Sequence, residues 1–291
     1  MKTGNTPEDI MRQKDYGSLT TEAANSRSYN IDRMPTIEIV RLINEEDKTV
    51  AGAVSRVLGS IALAIDRIYP SLERGGRLIY VGAGTSGRLG VLDAAECPPT
   101  YGVSPKLIQG IIAGGHKAMF YAAEGAEDDR EAAVSDLKNI GFSAGDVCFG
   151  ISASGSAEYV VGAIKYAKSL GALTIALSCT EGSAAAAAAD IAITPVTGPE
   201  VISGSTRMKA GTAQKMVLNM ISTGVMIKLG RVYHNMMVCM KPSNRKLLDR
   251  AARIISAETG VLPEEAKEML LDCGGDIKEA LRRIGHSTDK P

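Results

Sequence analysis

Arg77-Leu78-Ile79-Tyr80-Val81-Gly82-Ala83-Gly84-Thr85-Ser86-Gly87 runs from an apolar stretch through a glycine- and hydroxyl-rich turn into a helix-like segment. The same succession recurs where residues 146–151 lead into Ser152-Ala153-Ser154-Gly155-Ser156. A helix starting at such a turn leaves backbone N–H groups unpaired and presents the positive end of its dipole. Glycine lets the backbone approach an anion closely, and hydroxyls add donors. The two turns therefore predict a pair of anion pockets, built from Gly84, Thr85 and Ser86 and from Ser152, Ser154, Gly155 and Ser156. Hydroxyl residues also cap helices without any ligand, but two turns, each after a strand, favour the pockets. Nucleotide chemistry does not fit. Gly82, Gly84 and Gly87 have the dinucleotide spacing, yet the next apolar run ends Ile112-Ala113-Gly114-Gly115 with no acidic residue for a ribose, and no Lys-Ser/Thr pair follows Gly155. One phosphate on a small ligand suits the pair better.

Outward from these turns, strand-like runs at 77–81, 107–112, 146–151, 173–178 and 191–194 alternate with helical patterns. This predicts an α/β fold with a parallel sheet between helices. Residues 208–229 are small or apolar nearly all round and read as a buried or contact helix, and alanines 184–189 read as a short packed helix. Upstream, Ile37, Val40, Leu42 and Ile43 suggest one helix, and the spacing from Val50 to Ile68 suggests a second from about 45 to 69. Residues 1–34 are polar and read as an arm that orders on docking. Beyond Lys241-Pro242-Ser243, three short helices near 246–258, 263–271 and 276–284 are separated by Gly260, Gly274 and Gly275. They resemble a ubiquitin-associated-type bundle, with a packing or dimer role. The expected division is 1–56, an N-terminal arm and helices; 57–240, the phosphate-binding domain; and 241–291, the bundle.

The 33 basic and 33 acidic residues of the 291 cancel, and no basic block carries interleaved aromatics, which argues against nucleic acid or an acidic membrane. No apolar stretch approaches a membrane span and residues 1–9 have no signal-like apolar core, so the expected location is cytoplasmic. The five cysteines lack paired spacing and read as reduced, mostly buried thiols. With three histidines and no ligand cluster, neither metal nor cofactor is expected.

Paired Ser/Thr turns of this kind look like the phosphate sites of sugar isomerase (SIS) domains, which implies a three-layer sandwich around a five-stranded parallel sheet. The stretch Thr85-Ser86-Gly87-Arg88-Leu89-Gly90-Val91-Leu92-Asp93-Ala94-Ala95-Glu96-Cys97-Pro98-Pro99-Thr100, with Ala123-Glu124-Gly125-Ala126-Glu127-Asp128, narrows the resemblance to the N-acetylmuramic acid 6-phosphate etherases. The stretch from Gly198-Pro199-Glu200 through Ser205-Thr206-Arg207-Met208-Lys209 to Gln214-Lys215 is similar to a signature those enzymes share with the glucokinase regulatory protein. The likeness runs from about Leu19 to the C-terminus.

The resemblance implies replacement of the D-lactyl ether at C3 of N-acetylmuramic acid 6-phosphate by water, giving N-acetylglucosamine 6-phosphate and D-lactate. An unactivated ether resists hydrolysis, but in the ring-opened sugar the C2 proton is acidic and the ether oxygen lies β to an aldehyde. Elimination then needs one carboxyl that donates a proton and another that accepts one. The resemblance makes Glu96 the acid and Glu127 the base. Independently, Pro98 disfavours helix at Cys97, placing Glu96 near a helix C-terminus, where the dipole raises a carboxyl pKa. From spacing alone, Glu96 also reads as a surface carboxylate before a turn, and Glu127 as part of a solvated acidic cluster.

A straight helix from Ser86 would carry Glu96 about 15 Å from the phosphate, farther than the sugar reaches. Either the helix breaks near Gly90 or a second subunit completes the site, and a homodimer with sites near its interface is expected. Glu200 resembles the proton-transferring glutamate of SIS isomerases; it assists ring opening or caps the next turn. Ser205, Thr206, Arg207 and Lys209 line the pocket or its wall, and Lys209 or Lys215 alternatively lies on a helix surface. Among histidines, His234 is the best placed for a pocket. Glu158 beside the second turn, and Cys239, depart from the family pattern. The alternatives to an etherase are a non-enzymatic phosphosugar sensor and an aldose-ketose isomerase resting on Glu200.

Overall fold

The structure, a computed structural model, describes residues 20–242 and 244–285. The expected arm over 1–19, including the signal-free stretch 1–9, and His286 lie outside the described residues.

Five parallel strands, β1 (Leu78–Gly82), β2 (Ile108–Ile112), β3 (Val147–Ile151), β4 (Leu173–Leu177) and β5 (Ile191–Ile193), form one sheet in the order β2-β1-β3-β4-β5. Helices cover both faces. They are α1 (Thr36–Ser55), α2 (Leu58–Glu73), α3 (Gly84–Tyr101), α4 (Arg130–Asn139), α5 (Glu158–Ser169), α6 (Ala184–Ala188) and α7 (Lys209–Lys228). Side chains alternate across each strand, so Leu78, Tyr80, Phe149 and Ile151 share a core with α1, α2, α3 and α7. Ile79, Val81 and Cys148 face α4, α5 and α6. β1 and β3 are buried along their whole length because both faces are covered, which explains their unbroken apolar runs.

The expected break near residue 44 is absent: α1 runs on to Ser55, and the chain bends by 56° at Arg56-Val57 before α2. The polar stretch Asn44-Glu45-Glu46-Asp47 reads as a helix end, but Glu46 lies on the buried stripe of Leu42, Val50 and Val54. It is buried as the counter-ion of Lys209, whose ammonium sits 2.6 Å away. Ile37 and Val40, expected on that stripe, are exposed. No single described helix is long and apolar enough to cross a membrane. α1 and α2 pass that test only as a bent pair, and both pack on α7.

Residues 20–34 lie on this body. Asn25 Nδ2 donates to Pro199 O at 3.5 Å, and Arg27 pairs with Glu45 and Glu46. At the other end, α8 (Arg245–Thr259), α9 (Pro263–Asp272) and α10 (Ile277–Arg283) form the small bundle. Asn244 and Asp276 cap α8 and α10. Ala251, Ile255, Leu270, Ile277 and Leu281 form its core together with Val238 and Met240 from the connecting segment. Cys97, Cys148 and Cys179 are buried and all five thiols are free. Cys239 is partly buried, and its carbonyl packs against Gly102.

Candidate active site

Neighbouring strands β1 and β3 send their following helices to opposite faces, α3 to one and α5 to the other. The crevice at their carboxyl ends is the topological switch point where open α/β sheets bind ligands. The two hydroxyl-rich turns therefore stand side by side. At the first, no side chain caps α3, leaving its leading N–H groups available. The turn is tight because two glycines meet: a Cβ on Gly82 would stand 2.7 Å from Gly87 N, and one on Gly87 2.7 Å from Gly82 O. Gly84 is exposed, Thr85 half-buried and Ser86 buried. Ser86 Oγ donates to Gln214 Oε1 at 3.0 Å, so α7 holds that hydroxyl from behind.

In the second turn, Ser152 Oγ accepts from Gly155 N at 3.1 Å. Ser154 Oγ lies 2.8 Å from Ser156 Oγ and accepts from Ser156 N. Gly155 has φ +68°, and a Cβ there would lie 2.3 Å from Ser183 Oγ. Ser183 itself donates to Ser178 at 3.0 Å, so the turn after β4 braces the turn after β3. Ser178 and Ser183 were not expected at the site; the signal was present, since Ser178-Cys179-Thr180 also follows a strand directly.

Glu127 comes to the first turn. It sits in a short 3-10 turn, Ala126–Asp128, and shares a cavity of about 210 Å³ with Gly84, Arg88 and Glu124. Neighbouring atoms that displace water, together with the Asp128 charge, push its pKa up. Arg88, absent from the sequence reading, donates to Met119 O and Tyr121 O, each at 3.1 Å, and so ties the Glu127 loop to α3. Behind that loop Arg130 bonds Glu158, which accounts for an acidic residue beside a phosphate turn: its charge is neutralised across α4 and α5.

Glu96 goes elsewhere. α3 neither breaks at Gly90 nor ends at Cys97; it passes through Pro98 and Pro99 and stops at Gly102, where φ is +62°. The residue before proline disfavours helix without forbidding it, and the prolines fall in the last turn. The expected dipole at Glu96 is thus moved onward. Glu96 is exposed in a second cavity, also about 210 Å³, lined by Leu89, Leu92, Asp93, Lys215, Leu218 and Asn219. Asp93, another residue the sequence reading passed over, accepts from Tyr80 OH at 3.0 Å and from Ser222 Oγ at 3.1 Å. Burial raises its pKa to about 6, against the pull of those bonds and of Lys215.

Both oxygens of Glu200 accept backbone N–H groups, from Lys209 and Ala210 at 2.9 Å each, so the carboxylate caps α7. Burial pushes its pKa up and the two N–H bonds oppose the rise. Lys209 is no surface lysine: it is 3% exposed and paired with Glu46. Ser205 is half-buried, with its N–H on Ile202 O. His234 is exposed beside Glu258 of the bundle, in a turn where its φ is +50°, and does not reach the cavities holding Glu96 and Glu127.

The SIS domain family matches residues 122–223, and the glucokinase regulatory protein N-terminal SIS domain matches residues 60–168. The chain is 55% identical over 271 residues to the N-acetylmuramic acid 6-phosphate etherase of Clostridium beijerinckii, covering 93% of this chain and 89% of that one. It is also 55% identical to the enzyme of that name from Escherichia fergusonii, covering 93% and 91%. The chain belongs to the N-acetylmuramic acid 6-phosphate etherase family. Among solved structures, the c3406 protein of E. coli CFT073 matches at TM-score 0.51 and 18% identity, over 69% of this chain and 97% of that one. A phosphoheptose isomerase of Neisseria gonorrhoeae matches at 0.52 and 20%, over 66% and 98%. These two likenesses show the SIS fold that the etherase family shares.

Proposed function

We propose that the chain cleaves the D-lactyl ether of N-acetylmuramic acid 6-phosphate, as a carbon–oxygen lyase of cell-wall amino-sugar recycling. The observation that carries this reading is 55% identity across nine-tenths of the chain to enzymes of that name. The first and second turns hold the phosphate through Gly84, Thr85, Ser86, Ser152, Ser154, Gly155 and Ser156. With the ring open, the Glu127 carboxylate takes the C2 proton, the released electron pair forms the C2–C3 double bond, and the C3–oxygen bond breaks. A proton from Glu96 passes to the departing lactate oxygen. Water then adds at C3 and a proton returns to C2.

Glu127 lies with the phosphate turn of its own chain, while Glu96 stands twelve residues along an unbroken helix, about 18 Å from its start. The reading therefore requires a homodimer in which one protomer supplies the turns and Glu127 and its partner supplies Glu96. Exposed Leu63, Leu92 and Ile227, on helices packed over the same sheet face, are suitable contact residues. Glu200 acts as the cap of α7.

Lactate release in labelled water, with solvent hydrogen appearing at C2, is the expected result. Glu96→Gln and Glu127→Gln should each lower kcat by about 10²–10⁴ with little change in binding. Substrate binding without lactate release would overturn the reading in favour of a sensor.

A further inference from the structure

The substrate carries two anions. The turns answer the phosphate, but the lactyl group bears a carboxylate on the very carbon attached to the departing oxygen. Whatever donates a proton to that oxygen lies within a few ångströms of the carboxylate. A site offering only carboxyl groups there would repel it, the more so as negative charge builds on the leaving oxygen. The cavity that holds Glu96 also holds Asp93, so a cation is needed.

Lys215 is the one cation among the residues lining that cavity. It stands on α7 facing α3, next in sequence to Gln214, whose bond to Ser86 locks the two helices together. Asn219, one turn on, accepts from Lys215 Nζ at 2.8 Å when its amide is oriented to satisfy both neighbours. Among the described residues Lys215 forms no ion pair, although two carboxylates share its cavity. Asp93 is already held by Tyr80 and Ser222. The ammonium is thus pre-positioned by an amide and left with donors for an incoming anion. Leu89 and Leu92 supply an apolar wall against which a methyl group packs.

We propose that Lys215, steadied by Asn219, binds the lactyl carboxylate and makes the enzyme selective for an ether bearing that charge. This rests on the assignment of Glu96 as the proton donor at the ether oxygen.

The test compares N-acetylmuramic acid 6-phosphate with 3-O-ethyl-N-acetylglucosamine 6-phosphate, which differs only by lacking the carboxylate. The readout is the ratio of kcat/KM for the two ethers. Lys215→Met, and Lys215→Gln should the first not fold, are expected to lower that ratio at least about tenfold, while Lys215→Arg keeps most of it. If both ethers slow in equal proportion and the ratio stays put, Lys215 merely balances the local charge and the proposal is wrong. Failure of the underlying assignment is separable: Glu96→Gln with near-parental turnover of both ethers removes Glu96 as the acid. An unmoved ratio in Lys215→Met alongside an inactive Glu96→Gln removes Lys215 alone.

Discussion

Gly155 concentrates the geometry of the second turn in one residue, since it needs both a left-handed backbone and an absent side chain. Gly155→Ala is expected to lower stability by about 1–3 kcal/mol, read by urea denaturation, and to raise KM by disturbing Ser152 and Ser183. Asp93 makes a different prediction. Its pKa of about 6 against the usual 3.8 means that between those values the folded chain keeps a proton that the unfolded chain has released. Stability therefore falls as pH rises through that window, by about 3 kcal/mol for this group, and Asp93→Asn should abolish that slope. Denaturation of parent and variant at pH 4, 5 and 6 checks it; parallel curves would refute it. The glycines and serines of the turns were legible because their chemistry is local. Asp93, Arg88 and Gln214 were not, because their partners lie on other elements: Ser222 is 129 residues from Asp93, and Gln214 is 128 from Ser86.

At the scale of elements, the strands were readable to within a residue or two, since burial on both faces leaves continuous apolar runs. The division of α1 from α2 was misread for an instructive reason: a buried charge looks, in sequence, like a helix end. Burial works against the Glu46 carboxylate, but Lys209, Asn25 and Arg27 overcome it and hold its pKa below the usual value. Lys209→Met should cost about 3–5 kcal/mol, because Glu46 stays buried with its nearest partner gone, and adding Glu46→Gln should restore much of the loss. Urea midpoints of the single and double variants measure this. The course of α3 was equally hidden, since two consecutive prolines ordinarily announce a stop, and here they only shorten the last turn.

For the whole molecule, sequence reading reached the layers, the neighbouring turns and the separate C-terminal bundle, but one chain cannot show where its own Glu96 is used. Mixing settles that. Glu96→Gln and Glu127→Gln protein, each inactive alone, should regain about a quarter of parental activity after equilibration of subunits, because half the dimers are mixed and each mixed dimer has one intact site. No recovery would mean that both glutamates serve within one protomer. The rigid rod of α3 then has a kinetic corollary. A lone chain holds every part of the chemistry at fixed but useless separation, so specific activity should decline on dilution and recover on concentration, turning the rate law from first to second order in polypeptide.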